Sequence, residues 1–482
     1  MVQCSKTLIQ ESGCRTSGCA SPMDRHHPSI DDHPCYSETA HHRFARIHLP
    51  VAPACNIQCH YCNRKYDCAN ESRPGVVSQV LKPEQAVKKA LVVGAALPQL
   101  AVVGVAGPGD PLASPKRTLA TFQRLAEQAP DLKLCLSTNG LGVLDHIDAL
   151  LRYNITHVTL TINCLDPEIG AAIYPWILWR GKRIHGRTAS EILIERQQRG
   201  LEQLIARGIL VKVNSVLIPG VNDTHLPTVS QVIRAKGAFI HNIMPLIAEP
   251  EHGTYYGLTG QRGPTPEELK AVQAACAGDM RLMRHCQQCR ADAVGTLDED
   301  RRAEFELDRV ESMTLTPELL EAARARRAAF RAQVDAEQHL FRRLRESRPR
   351  SGPHRPILMA VTAHKGRISG HFGQASEFLI YEVDESGIRM VGLRQTGRSC
   401  QGEAACGESA DTLEPIIRAL DGCEVVLCAK IGHAPWQLLV AAGIQPNSEH
   451  PGEPIEQACR AVWHEMQWRG PGTRSATVSK VA

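Results

Sequence analysis

Residues 44–62 read FARIHLPVAPACNIQCHYC, an apolar run followed at once by three cysteines. The run is a candidate buried strand, and Cys55, Cys59 and Cys62 stand just beyond its end in a CxxxCxxC spacing. Three thiolates on one loop can hold three irons of a [4Fe–4S] cluster, which leaves the fourth iron open to chelate a substrate or cofactor. A tetrahedral zinc site is the competing reading; it needs a fourth ligand, which His60 or Cys68 could supply.

Working outward, the same texture recurs. Short apolar runs at 99–107, 132–140, 156–162, 209–220 and 238–246 alternate with helix-like segments at Pro83–Ala96, Pro115–Gln128, Thr188–Ala206 and His225–Ala235. This α/β repeat of about six strands predicts a partial (β/α)6 barrel of the TIM type, with its chemistry at the carboxyl ends of the strands. After Asp298 the chain turns into charge-rich helix from Leu315 to Arg348, broken by RPRSGPHRP; its arginines read as a solvated face. A second α/β unit starts at Ile357, carries helices near Thr412–Leu420 and Ala434–Ala442, and ends near Trp468. The expected organisation is a disordered leader over 1–32, a barrel with extensions over 33–300, a helical connector and hinge over 301–355, a smaller domain over 356–468 and a disordered tail over 469–482.

The 482 residues are enough for two or three domains with sizeable cores. With 55 basic against 51 acidic residues the net charge is +4, too small a bias to make a nucleic acid or a membrane surface the main partner. The N-terminus lacks the apolar stretch of a secretory signal, and no run reaches membrane-spanning length, so a cytoplasmic protein is expected. There, 18 cysteines mean metal or redox chemistry rather than a disulfide framework.

The CxxxCxxC motif, with Tyr61 before its last cysteine, resembles the radical S-adenosylmethionine (radical SAM) superfamily. That resemblance implies a [4Fe–4S] cluster on Cys55, Cys59 and Cys62 whose open iron binds SAM and whose reduction cleaves it to a 5′-deoxyadenosyl radical. It further implies SAM contacts from Tyr61, from Gly107, Pro108 and Gly109 in GPGDP, from Ser137, Thr138 and Asn139 ending the third strand, from Asn163 and from Ile218. The acidic residue of GPGDP is Asp110, a departure from the superfamily's usual GGE-type segment.

Further cysteines stand where the same cavity could collect them: Cys35, Cys68, Cys135, and Cys286 with Cys289 in HCQQC. The strings at 33–78, 106–113, 133–140 and 284–300 resemble the branch of the superfamily that builds the nitrogenase cofactor. What this implies is a fusion of two additional [4Fe–4S] clusters, with a SAM-derived carbide and one further sulfur, into an [8Fe–9S–C] precursor. Cys35, Cys68 and Cys135 are expected to hold one substrate cluster, together with a histidine from His33, His41 or His42, and Cys286 and Cys289 the other. A base is required to form the carbide, and Glu71 and Asp110 are the candidates; pairing with Arg64 or Arg73 is the ordinary alternative for such loop carboxylates.

The segment GRISGHFGQASEFLIYEV (366–383) resembles the small cofactor-binding domains of the NifX type, for which an RNase H-like fold is expected. His371, Cys400 and Cys406 are its candidate contacts to an iron–sulfur cofactor. The implied partners are an iron–sulfur cluster donor, an electron donor such as a ferredoxin, and a downstream cofactor carrier or scaffold. Two other readings compete: a radical SAM enzyme acting on an organic or peptide substrate with auxiliary electron-transfer clusters, and a non-catalytic iron–sulfur scaffold.

Overall fold

Runs that are apolar at every position, rather than at alternate ones, belong to strands covered on both faces, and that is where they lie. In the computed structural model, β1 (Ala45–His48), β2 (Leu100–Val105), β3 (Lys133–Thr138), β4 (Ile155–Thr161), β5 (Leu210–Leu217) and β6 (Ile240–Pro245) pair in parallel and in chain order to form the curled sheet of a half-barrel. The residues described are 30–468, except 42, 71, 73, 278–279, 284–285, 287, 298, 348–355, 365 and 397–409. Most of the expected leader, the hinge segment and the expected tail therefore lie outside them.

The crossover helices begin where the sequence places proline, whose fixed φ suits a first helical turn: α1 (Pro83–Ala96), α2 (Pro115–Gln128) and α5 (Leu226–Ala235) each have one at the first or second position. Between them come α3 (Val143–Arg152) and α4 (Gly186–Ala206). Phe122, Leu125, Ile147, Leu150, Leu201 and Leu204 from these helices pack with Val103, Leu134, Val158 and Leu160 of the sheet in one core.

Two short elements were not readable from periodicity, and both position the site. A seventh strand, β7 (Val294–Gly295), adds antiparallel to the outer edge of β1, pairing Arg46 with Gly295 and Ile47 with Val294. It brings the HCQQC segment back to the start of the barrel. A small antiparallel sheet of Ile57–Gln58, Trp176–Trp179 and Lys182–His185 grips the cysteine loop, with Ile57 opposite Ile177 and Gln58 opposite Trp176.

The connector is one helix, Pro317–Ser347. Its arginines are not uniformly a solvated face: Arg327 is buried, pairs with Asp131 at 2.7 Å and donates to the Gly94 carbonyl at 2.6 Å. The C-terminal domain is a five-stranded mixed sheet. In it β8 (Ile357–Val361), β9 (Glu377–Asp384) and β10 (Gly387–Gln395) run antiparallel in succession, and β11 (Val425–Leu427) and β12 (Gln445–Asn447) continue parallel on the other side of β8. That order and those directions are those of the expected RNase H-like unit. No helix among the described residues is long and apolar enough to cross a membrane.

Leu160 on β4 is fully buried in the barrel core. Leu160→Ala is expected to destabilise the protein by about 2–5 kcal/mol, read as a lower midpoint in chemical denaturation of the metal-free chain; an unchanged midpoint would contradict this packing.

Candidate functional site

The carboxyl ends of the strands open into two adjoining cavities. Cys55, Cys59, Cys62 and Cys68 line the first with Tyr61, Pro108, Gly109, Asp110, Ser137, Thr138 and Asn139. The loop that carries the first three thiols is held by its own backbone. The Asn56 carbonyl accepts from the Leu178 N–H at 2.7 Å, and Gln58 Nε2 donates to the carbonyls of Cys59 (3.0 Å) and Cys62 (2.9 Å). Burial pushes the Cys55 thiol up to about 11 and the Cys59, Cys62 and Cys68 thiols above their ordinary range, and the neighbouring sulfurs add to the shift at Cys55, Cys59 and Cys68. These are free thiols. Soft donors converging from one loop, their thiols raised by burial, fit a [4Fe–4S] cluster with three protein ligands.

The second strand's loop closes on that segment from below. Gly109 N–H donates to the Ala52 carbonyl at 2.6 Å and Asp110 N–H to the Ala54 carbonyl at 2.7 Å. A Cβ at Gly109 would lie 2.1 Å from the Ala54 oxygen, so only glycine fits. The Asp110 carboxylate accepts from Leu112 N–H (2.9 Å), the Thr138 hydroxyl (2.9 Å) and Asn139 N–H (2.6 Å). Burial raises its pKa while these donors oppose the rise. Asp110, a candidate carbide-forming base in the sequence, lines the first cavity, and its oxygens are engaged in fixing the end of β3. Asn139 in turn donates to Asn56 Oδ1 at 2.7 Å and lies 3.7 Å from Cys55 Sγ.

Cys35, Cys135, Cys286 and Cys289 line the second cavity with His33, His48, Ser137 and Lys212; Ser137 also faces the first. Cys35 sits in this cavity with Cys135, as grouped in the sequence, and also with Cys286 and Cys289, which β7 brings to the barrel opening, whereas Cys68 lines the first cavity. Burial raises the Cys35 thiol to about 11, and also raises Cys286.

The histidines divide by tautomer. His33 Nδ1 accepts from Cys35 N–H at 3.2 Å, so the neutral ring of the metal-free chain carries its proton on Nε2, which is buried with no hydrogen-bond partner. His48 does the opposite. Its Nδ1 lies 3.0 Å from the Arg290 carbonyl, which can only accept, so Nδ1 holds the proton and Nε2 keeps its lone pair. A Cβ at Gly104 would stand 2.9 Å from Cys135 Sγ and 3.5 Å from His48 Nε2, which places these two donor atoms together over the glycine. His48 was missed in the sequence because it sits inside an apolar strand, and the carbonyl that sets its tautomer lies 242 residues away.

Residues 49–232 match the Radical SAM superfamily, and 355–465 match the Dinitrogenase iron-molybdenum cofactor family. The chain is 59% identical to the FeMo cofactor biosynthesis protein NifB of Azotobacter vinelandii over 94% of its own length and 93% of that protein. The chain belongs to the NifB family. Its likeness to the family's members from Herbaspirillum seropedicae (54%, covering 90% and 82%) and Rhodobacter capsulatus (52%, covering 90% and 96%) is of the same kind. A solved structure of Streptococcus suis SuiB bound to S-adenosylmethionine aligns with 50% of each chain at 11% identity and a TM-score of 0.34.

Two residues expected to contact SAM in this NifB-family chain are buried and bonded within the barrel. Asn163 is fully buried, donates to the hydroxyls of Tyr61 (2.7 Å) and Tyr174 (2.9 Å) and accepts from Val216 N–H (2.8 Å). Ile218 is fully buried and its N–H donates to Asn222 Oδ1 at 2.8 Å. Neither lines the two cavities. Gly107 supports the loop through its carbonyl, which accepts from Ala52 N–H at 3.1 Å. Glu71, His42, Cys400 and Cys406 lie outside the described residues. His371 Nδ1 accepts from Gly373 N–H at 3.2 Å.

Because burial raises the thiols of Cys35, Cys55, Cys59, Cys62, Cys68 and Cys286, iron must displace protons to bind there. Iron retained by the metal-free chain is expected to rise as pH increases from 6 to 9, with protons released on loading. Loading independent of pH would contradict these shifts.

Proposed function

We propose that this chain fuses two [4Fe–4S] clusters into an [8Fe–9S–C] precursor of the nitrogenase cofactor, taking the central carbide from the methyl group of SAM and adding one sulfur. The observation that carries the reading is the pairing of two cavities at one barrel opening, one with the CxxxCxxC thiols and the other with four more cysteines and an oriented histidine. Soft donors on the substrate side suit a substrate that is itself iron and sulfide.

Cys55, Cys59 and Cys62 would hold the resident cluster, which when bound supplies the electron for reductive cleavage of SAM. Pro108, Gly109, Ser137, Thr138 and Asn139, which line the first cavity, would contact SAM together with Tyr61, whose hydroxyl donates to Asn70 at 2.7 Å. Cys35, Cys286 and Cys289 would hold one substrate cluster. Cys135 and His48 would hold the other, with Cys68 reaching it from the adjoining cavity. Three ligands on each substrate cluster, one set including an imidazole, would leave each incompletely ligated, which suits a product that must leave. Glu71 remains the candidate base on sequence grounds, since Asp110 is taken up by the β3 turn. The C-terminal domain would hold the product for a carrier, tethered at high effective concentration. An iron–sulfur donor and a ferredoxin-type reductant complete the cytoplasmic partners.

Iron counting tests the assignment. The loaded chain should hold about twelve irons, falling to about eight with Cys35, Cys286 and Cys289 replaced by Ala and to about four with Cys68 and Cys135 replaced as well. A wild-type chain that loads only about four irons would sink the proposal.

A further inference from the structure

The C-terminal domain buries a histidine that lines neither cavity. His450 leaves β12 in the turn NSEHPG (447–452) and is 1% exposed. Backbone bonds fix the turn. Glu449 N–H donates to Asn447 Oδ1 at 3.0 Å, and Gly452, at a φ of 74°, donates its N–H to the Ile368 carbonyl at 2.7 Å. The chain then enters the helix Ile455–Trp468, whose Ala458, Cys459 and Val462 pack with Met359 and Leu427 of the sheet. This helix carries Glu465. Glu449 and Glu465 each bring a carboxylate oxygen within 4.8 Å of a ring nitrogen of His450 and of one another.

The second observation is the state of the ring itself. His450 Nδ1 lies 2.9 Å from Glu453 Oε2. A carboxylate accepts, so Nδ1 donates and the neutral ring keeps its lone pair on Nε2. That atom is buried and has no hydrogen-bond partner among the described residues. An imidazolium would donate from Nε2, and no such bond is made. Carboxylate oxygens cannot satisfy a lone pair, because they too only accept. Acceptors that converge in this way are unfavourable unless a cation sits between them.

We propose that Glu449, His450 and Glu465 form a binding site for a single divalent transition-metal ion, with Glu453 fixing the imidazole. Two carboxylate oxygens and one imidazole nitrogen suit zinc or manganese, not the thiolate-bound clusters of the barrel. A carboxylate behind the ligating imidazole orients the ring and strengthens it as a donor. The ion joins the turn 447–452 to the helix Ile455–Trp468. The turn is in turn bonded to the strand Arg367–Ile368, where Ile368 N–H donates to the Glu453 carbonyl at 2.8 Å. Metal bound there steadies the segment that leads into His371.

The test uses the full chain reconstituted with iron and sulfide, and Mn²⁺ as the probe because it prefers oxygen donors to thiolates. Bound Mn²⁺ is counted by EPR from the loss of the free-ion signal. Wild type is expected to bind one Mn²⁺ per chain more than Glu465→Gln or His450→Gln. Zn²⁺, which binds such donors more tightly, should displace that ion one for one. The iron content should be the same in all three proteins. Wild type that binds no more Mn²⁺ than Glu465→Gln overturns the inference. Glu465 is exposed, so its substitution spares the core and decides the matter if His450→Gln does not fold.

Discussion

The approach of Gly109 to the backbone of Ala54 is the contact on which the rest of the site depends. With no side chain in the way, the second strand's loop lies flat against the segment leading into Cys55 and makes two short backbone hydrogen bonds to it. Asp110, thereby fixed, gathers the amide and hydroxyl donors at the end of β3, and Asn139 from that turn reaches Asn56 beside the first cysteine. Three strand ends and the cysteine loop are thus joined through one buried carboxylate. A buried, multiply bonded carboxylate of this kind is costly to disturb.

Around that frame the protein buries an unusual set of groups. Thiols with raised pKa values and an imidazole with one fixed tautomer face the same opening. Each is uncomfortable in a dry interior by itself. Together they are complementary to an anionic guest with soft metal sites, and the discomfort is removed when such a guest replaces the thiol protons. Stability has been given up here in favour of binding, while the aliphatic core behind the sheet supplies the rigidity.

The barrel was readable in the sequence because its strands are buried on both faces and so appear as uninterrupted aliphatic runs, as at 100–105 and 210–217. The CxxxCxxC loop was readable because all its ligands lie within eight residues. What could not be read depends on distant parts of the chain meeting. The two-residue strand Val294–Gly295 has no periodicity to detect, yet it decides that Cys35 joins Cys286 and Cys289. His48 and Arg46 look like irregularities in an apolar strand until the Arg290 carbonyl and the Cys289 sulfur are placed beside them. Asn163 and Ile218 end strands as SAM-contacting residues would, but tertiary packing turns both into the interior.

The central claim is that carbon from SAM enters an iron–sulfur product on this protein, and isotope transfer tests it most directly. Incubating the loaded full-length chain with methyl-labelled SAM and a reductant should place label in an iron–sulfur cluster that can be extracted from the protein, with 5′-deoxyadenosine formed in the same reaction. Formation of 5′-deoxyadenosine with no label in any extractable cluster would contradict the account.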